Sequence, residues 1–223
     1  MFKMLIDTCV WLDVAKDAKQ SPALNVIEQL VRRGSLALIV PGILLDEFQK
    51  NRECVAAESA KSVTSHIRLV KDAVSKVGGH RRRVRALLAQ LDDVGHKLPL
   101  VGGMAAANLG RIHKLLTAAP RVEVTDAVLR RASRRAVEKK APFHHGKNAM
   151  ADALLVETYA ECTKDPVAKG SRFAFVTHNK NDFSSGDGDQ RLPHADLRGL
   201  FSRVKSMYFI TFPRRFAEWT ARS

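Results

Sequence analysis

The sequence is poor in the features that staple, anchor or export a chain. Its three cysteines, Cys9, Cys54 and Cys162, are odd in number, widely spaced and without a CxxC pair, so neither a disulfide framework nor a cysteine-based zinc site is suggested. No apolar run approaches the roughly 20 residues of a membrane span. Met1 leads into apolar residues without the basic region and small-residue cleavage site of a signal peptide, and a reducing cytoplasm is the expected compartment. No GxGxxG follows the first apolar run, which argues against a dinucleotide-binding enzyme. Internal repeats and long low-complexity linkers are missing too, and 223 residues suit a single domain, 1–223, able to bury a sizeable core.

Acidic residues are also in short supply: 23 Asp and Glu face 37 Lys and Arg, a formal net charge of +14. A surplus of this size attracts polyanions through phosphate contacts and counterion release, although basic surfaces also serve solubility. Against this background the informative residues are the few carboxylates in apolar settings.

The apolar run Phe2-Lys3-Met4-Leu5-Ile6 reads as a buried parallel strand that ends abruptly at Asp7-Thr8. The carboxyl edge of a parallel sheet is where α/β proteins bind ligands, yet Asp7 or Thr8 could equally cap the helix that follows. Two short helices are expected at Cys9–Lys19 and Pro22–Arg33, the second with Ser21 as N-cap and Gly34 as stop. Leu36–Val40 reads as a second strand ended by Pro41, and a helical pattern opens at Ile43 and continues to about Val77. After Gly78-Gly79, helices are expected from His80-Arg81 to about Val94 and, beyond Gly102-Gly103, from Met104 to Ala118. Residues ~55–120 therefore read as a helical insertion on an α/β core. The arginine run at its centre is either a phosphate-tracking patch or a solvated helix face.

Alternation then returns. Thr125-Asp126 caps a basic helix to about Lys140, Asn148 caps a helix over Ala149–Cys162, Phe173–Thr177 is a strand, Met207–Thr211 another, and Pro213–Thr220 a terminal helix. Asp182 follows a strand closely and shares an edge with Asp7. Glu47 lies in the first turns after the second strand, and Asp152 stands among Met150, Ala151, Ala153 and Leu154 near a helix start. Like charges gathered in a partly buried cleft raise one another's pKa and persist most easily beside a cation. Oxygen-only donors suit Mg²⁺ or Mn²⁺, and such ions can hold a phosphate and activate water. Each acid also has a plain structural explanation: a cap, an exposed face, a dipole partner or a turn. Asp46 competes with Glu47, Asp13, Asp17, Asp187 and Asp189 are further carboxylates near the motifs, and His144-His145 are expected to be ordinary loop residues.

Asp7-Thr8, Glu47-Phe48, Ala151-Asp152-Ala153-Leu154 and Thr177-His178-Asn179-Lys180-Asn181-Asp182-Phe183 together, in this order, resemble a PIN domain. The likeness covers roughly residues 1–50 and 140–212, and the helical middle is longer than in compact VapC-type toxins. The resemblance implies a three-layer α/β/α sandwich with a central parallel sheet and metal-dependent cleavage of RNA. It makes Asp7, Glu47, Asp152 and Asp182 the catalytic, metal-binding quartet, with Asp7, Asp152 and Asp182 on the metal and Glu47 acting through or orienting water. Thr8 and Asn179 match accessory positions, and Lys147 is a candidate phosphate contact. The partners implied are RNA, a protein antitoxin if the chain is a toxin, and a second copy in a homodimer. The alternative is an inactive PIN-like RNA-binding or scaffold protein. A haloacid-dehalogenase-type phosphatase ranks low, because Cys9 stands where that pattern needs a second Asp.

Overall fold

The computed structural model describes residues 1–77, 79–186 and 188–212, with backbone only at residues 18, 56–64 and 94–102. The terminal helix expected over Pro213–Thr220 lies outside the described residues.

In chain order the elements are β1 (Phe2–Ile6), α1 (Thr8–Lys16), α2 (Ser21–Arg32), β2 (Leu36–Leu38), β3 (Val40–Pro41), α3 (Gly42–Val77), α4 (Arg81–Ala118), β4 (Arg121–Val122), α5 (Asp126–Val137), α6 (Met150–Lys164), β5 (Arg172–Val176), α7 (Lys180–Phe183) and β6 (Ser206–Phe209). The main sheet has the order β2-β1-β5-β6, and every pairing in it is parallel. β1 therefore sits centrally, and its apolar run is explained by that position: Phe2, Met4 and Leu5 are fully buried and Ile6 nearly so, as a strand covered by helices on both faces requires. The arrangement is a three-layer α/β/α sandwich. Its core draws on α1, α2, α4 and α6, including Trp11, Leu24, Ile112, Leu116 and Tyr159, and each fully buried side chain of this size contributes roughly 1.5–3 kcal/mol.

Local chemistry accounts for most boundaries. Gly34 ends α2 with φ +68°, a left-handed conformation that glycine adopts without penalty. Thr125 caps α5, its hydroxyl accepting from the Val128 N–H. α6 is buried over the whole of Ala153–Ala160, with the buried Glu157 paired to Arg131 and Arg135, and its first turn carries Asp152.

Four expectations are corrected. The second strand is divided: β2 pairs with β1, while β3 leaves the main sheet to pair with β4. Ser21 is not the N-cap of α2, a position held by Gln20; its hydroxyl accepts from Asn108 Nδ2 at 3.1 Å. Ala149 holds the N-cap of α6, and Asn148 contributes an accessory bond from Oδ1 to the Met150 N–H at 3.3 Å. α4 runs unbroken through Gly102-Gly103. An interior glycine costs a helix about 1 kcal/mol, but Ala105, Leu109, Ile112 and Leu116 recur on one buried face of α4, and tertiary packing outweighs local propensity. α3 and α4 pack along each other, and Lys71 pairs with Asp92 between them. α3 is likewise one helix from the sheet edge into the segment expected as an insertion.

Candidate active site

β1 and β5 pair in register up to Ile6 and Val176, so Asp7 and Thr177 leave the sheet side by side. Asp7 occupies the N-cap position of α1, yet its side chain makes no capping bond. Its Oδ2 instead accepts from Thr177 Oγ1 at 2.6 Å and from Cys9 Sγ at 3.2 Å. Burial raises the Asp7 pKa, and the Thr177 and Cys9 bonds oppose that rise. Burial, followed by the charge of Asp7, pushes the Cys9 thiol up, which keeps it protonated as a donor.

Thr8, the first residue of α1 and buried, donates from Oγ1 to Glu47 Oε2 at 2.9 Å. α3 is phased by Leu44 and Phe48, both buried; Glu47 therefore faces inward, half-buried, and Asp46 is exposed. Burial raises the Glu47 pKa, Thr8 lowers it, and the charge of Asp7 adds to the rise.

Three residues separate β5 from α7, which holds Asp182 fully buried, with Phe183 packed edge-on against Phe175 at 5.3 Å between ring centroids. Asp182 Oδ2 accepts from Asn179 Nδ2 and from Lys147 Nζ, both at 2.6 Å. Oδ1 of the same carboxylate is buried and has no partner. Asp152 accepts no hydrogen bond among the described residues. Its pKa is pushed up from 3.8 to about 7, first by burial and then by the charges of Asp7, Asp182 and Glu47, with Lys147 opposing. The four carboxylates thus share one electrostatic neighbourhood, although among the described residues no three His, Cys, Asp or Glu side chains form a ready-made metal cage.

The other acids do other work. Asp13 Oδ2 accepts from His178 Nδ1 at 2.6 Å, Asp17 accepts from the Lys19 N–H and Gln20 Nε2, and Asp189 pairs with Arg191; Asp187 lies outside the described residues. His144 and His145 are in ring contact at 3.9 Å, His144 also meets His194 at 4.6 Å, and His145 donates from Nε2 to the Asn181 carbonyl at 3.0 Å. Thr177, Cys9 and the Asp13–His178 pair had no site role assigned from sequence, and Thr177 is the consequential omission. Its signal was available, a hydroxyl closing an apolar strand two residues before Asn179.

What the fold and edge define is a parallel α/β protein that gathers carboxylates at one end of its sheet inside a basic molecule. A family model described as a PIN domain matches residues 4–183, well over half of the chain, and the chain belongs to the PIN domain family. PIN domains are in general nuclease-like. No curated protein and no solved structure matches the chain.

Proposed function

We propose that this protein is a metal-dependent endoribonuclease that hydrolyses RNA phosphodiester bonds at the edge formed by Asp7, Glu47, Asp152 and Asp182. The observation that carries the proposal is Asp182 Oδ1, a buried carboxylate oxygen without a donor in the company of three further acids. An anionic oxygen left unpaired in the interior costs several kcal/mol, and a hard cation is the group that oxygen-only donors fit.

Asp7, Asp152 and Asp182 would hold Mg²⁺ or Mn²⁺. The ion, when bound, supplies Lewis acidity and the positive charge that the acids lack. Thr177 and Cys9 fix the rotamer of Asp7 by occupying Oδ2, which leaves Oδ1 to act. Thr8 fixes Glu47 by Oε2, so Oε1 takes the proton of the attacking water, and its raised pKa brings it nearer to the working pH of a general base. Asn179 orients Asp182. Lys147, largely exposed beyond that carboxylate, can swing to a substrate phosphate. The net charge of +14 draws RNA to an edge that would otherwise repel it. Residues 1–223 act as one domain with the helical hairpin as an insertion; a toxin role under a protein antitoxin and a homodimeric state complete the proposal.

One observation favours a second reading, an inactive RNA-binding or scaffold protein: the Lys147 ammonium already neutralises Asp182. The test is cleavage of end-labelled RNA by wild type and Asp7→Asn in Mn²⁺, Mg²⁺ and EDTA. Cutting by wild type that EDTA and Asp7→Asn both abolish, with an unchanged circular-dichroism spectrum, is the expected result. Equal cutting by Asp7→Asn sinks the assignment, and salt-sensitive binding without cutting in any ion favours the scaffold.

A further inference from the structure

The hairpin of α3 and α4 has both roots in the core and its body outside it. Leu44, Phe48 and Val55 are buried on α3, and Ala105, Leu109, Ile112 and Leu116 on α4. Between Ser65 and Asp93, by contrast, no described residue is buried. Ile67, Lys71 and Val74 on α3 and Val84, Leu88 and Leu91 on α4 are half-buried, which is the i, i+4, i+7 spacing of one narrow face on each helix. Lys71 pairs with Asp92 between the two. α3 is continuous over Gly42–Val77, so its far end stands about 45 Å from Glu47 at 1.5 Å per residue.

At the tip Arg81, Arg82, Arg83 and Arg85 are exposed, and none has an acidic partner among the described residues. Arg111, Arg131, Arg135 and Arg191 differ, since each is paired with a carboxylate. No acid occurs from Arg81 to Gln90, and Asp92 is taken by Lys71. Arg81, Arg82 and Arg85 line a hollow of about 340 Å³ with Ala86 and Ala89. The fold gains nothing from this cluster: like charges at i and i+4 repel, and cations in the first turn of a helix meet the positive end of its dipole. An external polyanion relieves both. The arginine fork pairs with phosphate through two parallel bonds. No aromatic ring lines the hollow for a base to stack on, so backbone phosphate is the group that fits.

We propose that the hairpin is an arm whose arginine tip grips backbone phosphates of the same RNA that the acidic edge holds at the other end of α3. The inference rests on the nuclease proposal for the identity of the polyanion and adds a length requirement to it. At about 3.4 Å per nucleotide along a stacked strand, about 13 nucleotides bridge the two points. Once one point is engaged, the second binds at the effective concentration that the RNA itself sets, so affinity rises when the RNA is long enough to reach both. Phosphate contacts carry no sequence information, and the arm therefore selects for length and not for bases.

The test is fluorescence anisotropy of the full chain in EDTA with RNAs of about 5, 10, 20 and 30 nucleotides, lengths that bracket the span. Wild-type affinity should step up between the second and third lengths. Arg81→Ala/Arg83→Ala should remove the step, a loss of about tenfold in Kd for the long RNAs, at an unchanged melting temperature. Arg32→Ala/Arg33→Ala removes the same charge from the exposed end of α2 and should keep the step. No step in wild type, or equal loss of long-RNA affinity in both double variants, overturns the arm. So does a tip variant that binds long RNA normally but loses self-association in sedimentation or binding to anionic vesicles, because a second copy or a lipid surface is then the occupant. Cleavage in Mn²⁺ is scored separately: a length step without cleavage refutes the nuclease and leaves the arm standing, whereas cleavage without a step does the reverse.

Discussion

The two ends of α3 are made of one helix and live in different physics. At the near end Leu44 and Phe48 are buried, Glu47 is hydrogen-bonded to Thr8, and neighbouring carboxylates raise one another's pKa. At the far end Leu69, Val70 and Val77 are exposed, and the next helix opens on Arg81, Arg82, Arg83 and Arg85, all exposed. About 45 Å of helix separates Glu47 from Val77, at 1.5 Å per residue. Charge is thus dense at both ends, but only one end confines it. A cluster of charge becomes chemically consequential when burial removes the solvent that would screen it.

The comparison is broken most sharply by substitutions at the near end. Asp152→Asn should lower RNA cleavage by more than about 100-fold, since losing even an outer-shell partner of a metal ligand costs about 10–100-fold; a fall of less than tenfold in single-turnover rate would remove Asp152 from the site. Thr8→Val comes next. It strips Glu47 of its donor, and about 10–100-fold in cleavage together with about 1 kcal/mol of stability should be lost, read by kinetics and urea melts.

The near end should also announce itself through pH. The unfolded chain gives up the Asp152 proton near the ordinary carboxylate value of 3.8, while the folded chain holds it to about 7. Between those limits the folded state binds more protons, so metal-free stability falls as pH rises from about 4 to about 7. Asp7 and Glu47, both raised, add to the fall. Thermal melts in EDTA across this window should show a shallower decline for Asp152→Asn than for wild type, and added Mn²⁺ should flatten the wild-type curve. An identical slope in both proteins would mean that the acids do not share a neighbourhood.

At the far end the expected effects are smaller and of another kind. Arg81→Ala/Arg83→Ala should reduce the slope of log binding constant against log salt by about 2 without moving the metal-induced shift in melting temperature. Asp46→Asn, one residue from Glu47 but on the outer face, should stay within about 0.5 kcal/mol of wild type and cleave normally; impaired cleavage would mean that α3 is phased differently.

Much of the near end was legible in sequence, because burial leaves a periodic trace. The run Phe2–Ile6 marks the strand, while Asp46 competes with Glu47 in the sequence and only the burial of Leu44 and Phe48 in the fold sets the phase of α3. The bond from Thr177 to Asp7 was not legible, since it spans 170 residues and depends on β5 pairing with β1. The continuity of α4 was hidden for the opposite reason. Gly102-Gly103 is a local signal, and a distant buried face overrode it.

The Lys147 ammonium on Asp182 carries a consequence of its own. A cation arriving at that carboxylate must compete with a charge tethered to the same chain, so the observed affinity is the intrinsic one scaled by the fraction of time the tether is away. If the edge binds metal and RNA as proposed, Lys147 would work as a latch: it pairs with Asp182 while the site is empty, and an RNA phosphate that drew the lysine outward would open the carboxylate to the ion, so that substrate and ion would support each other's binding.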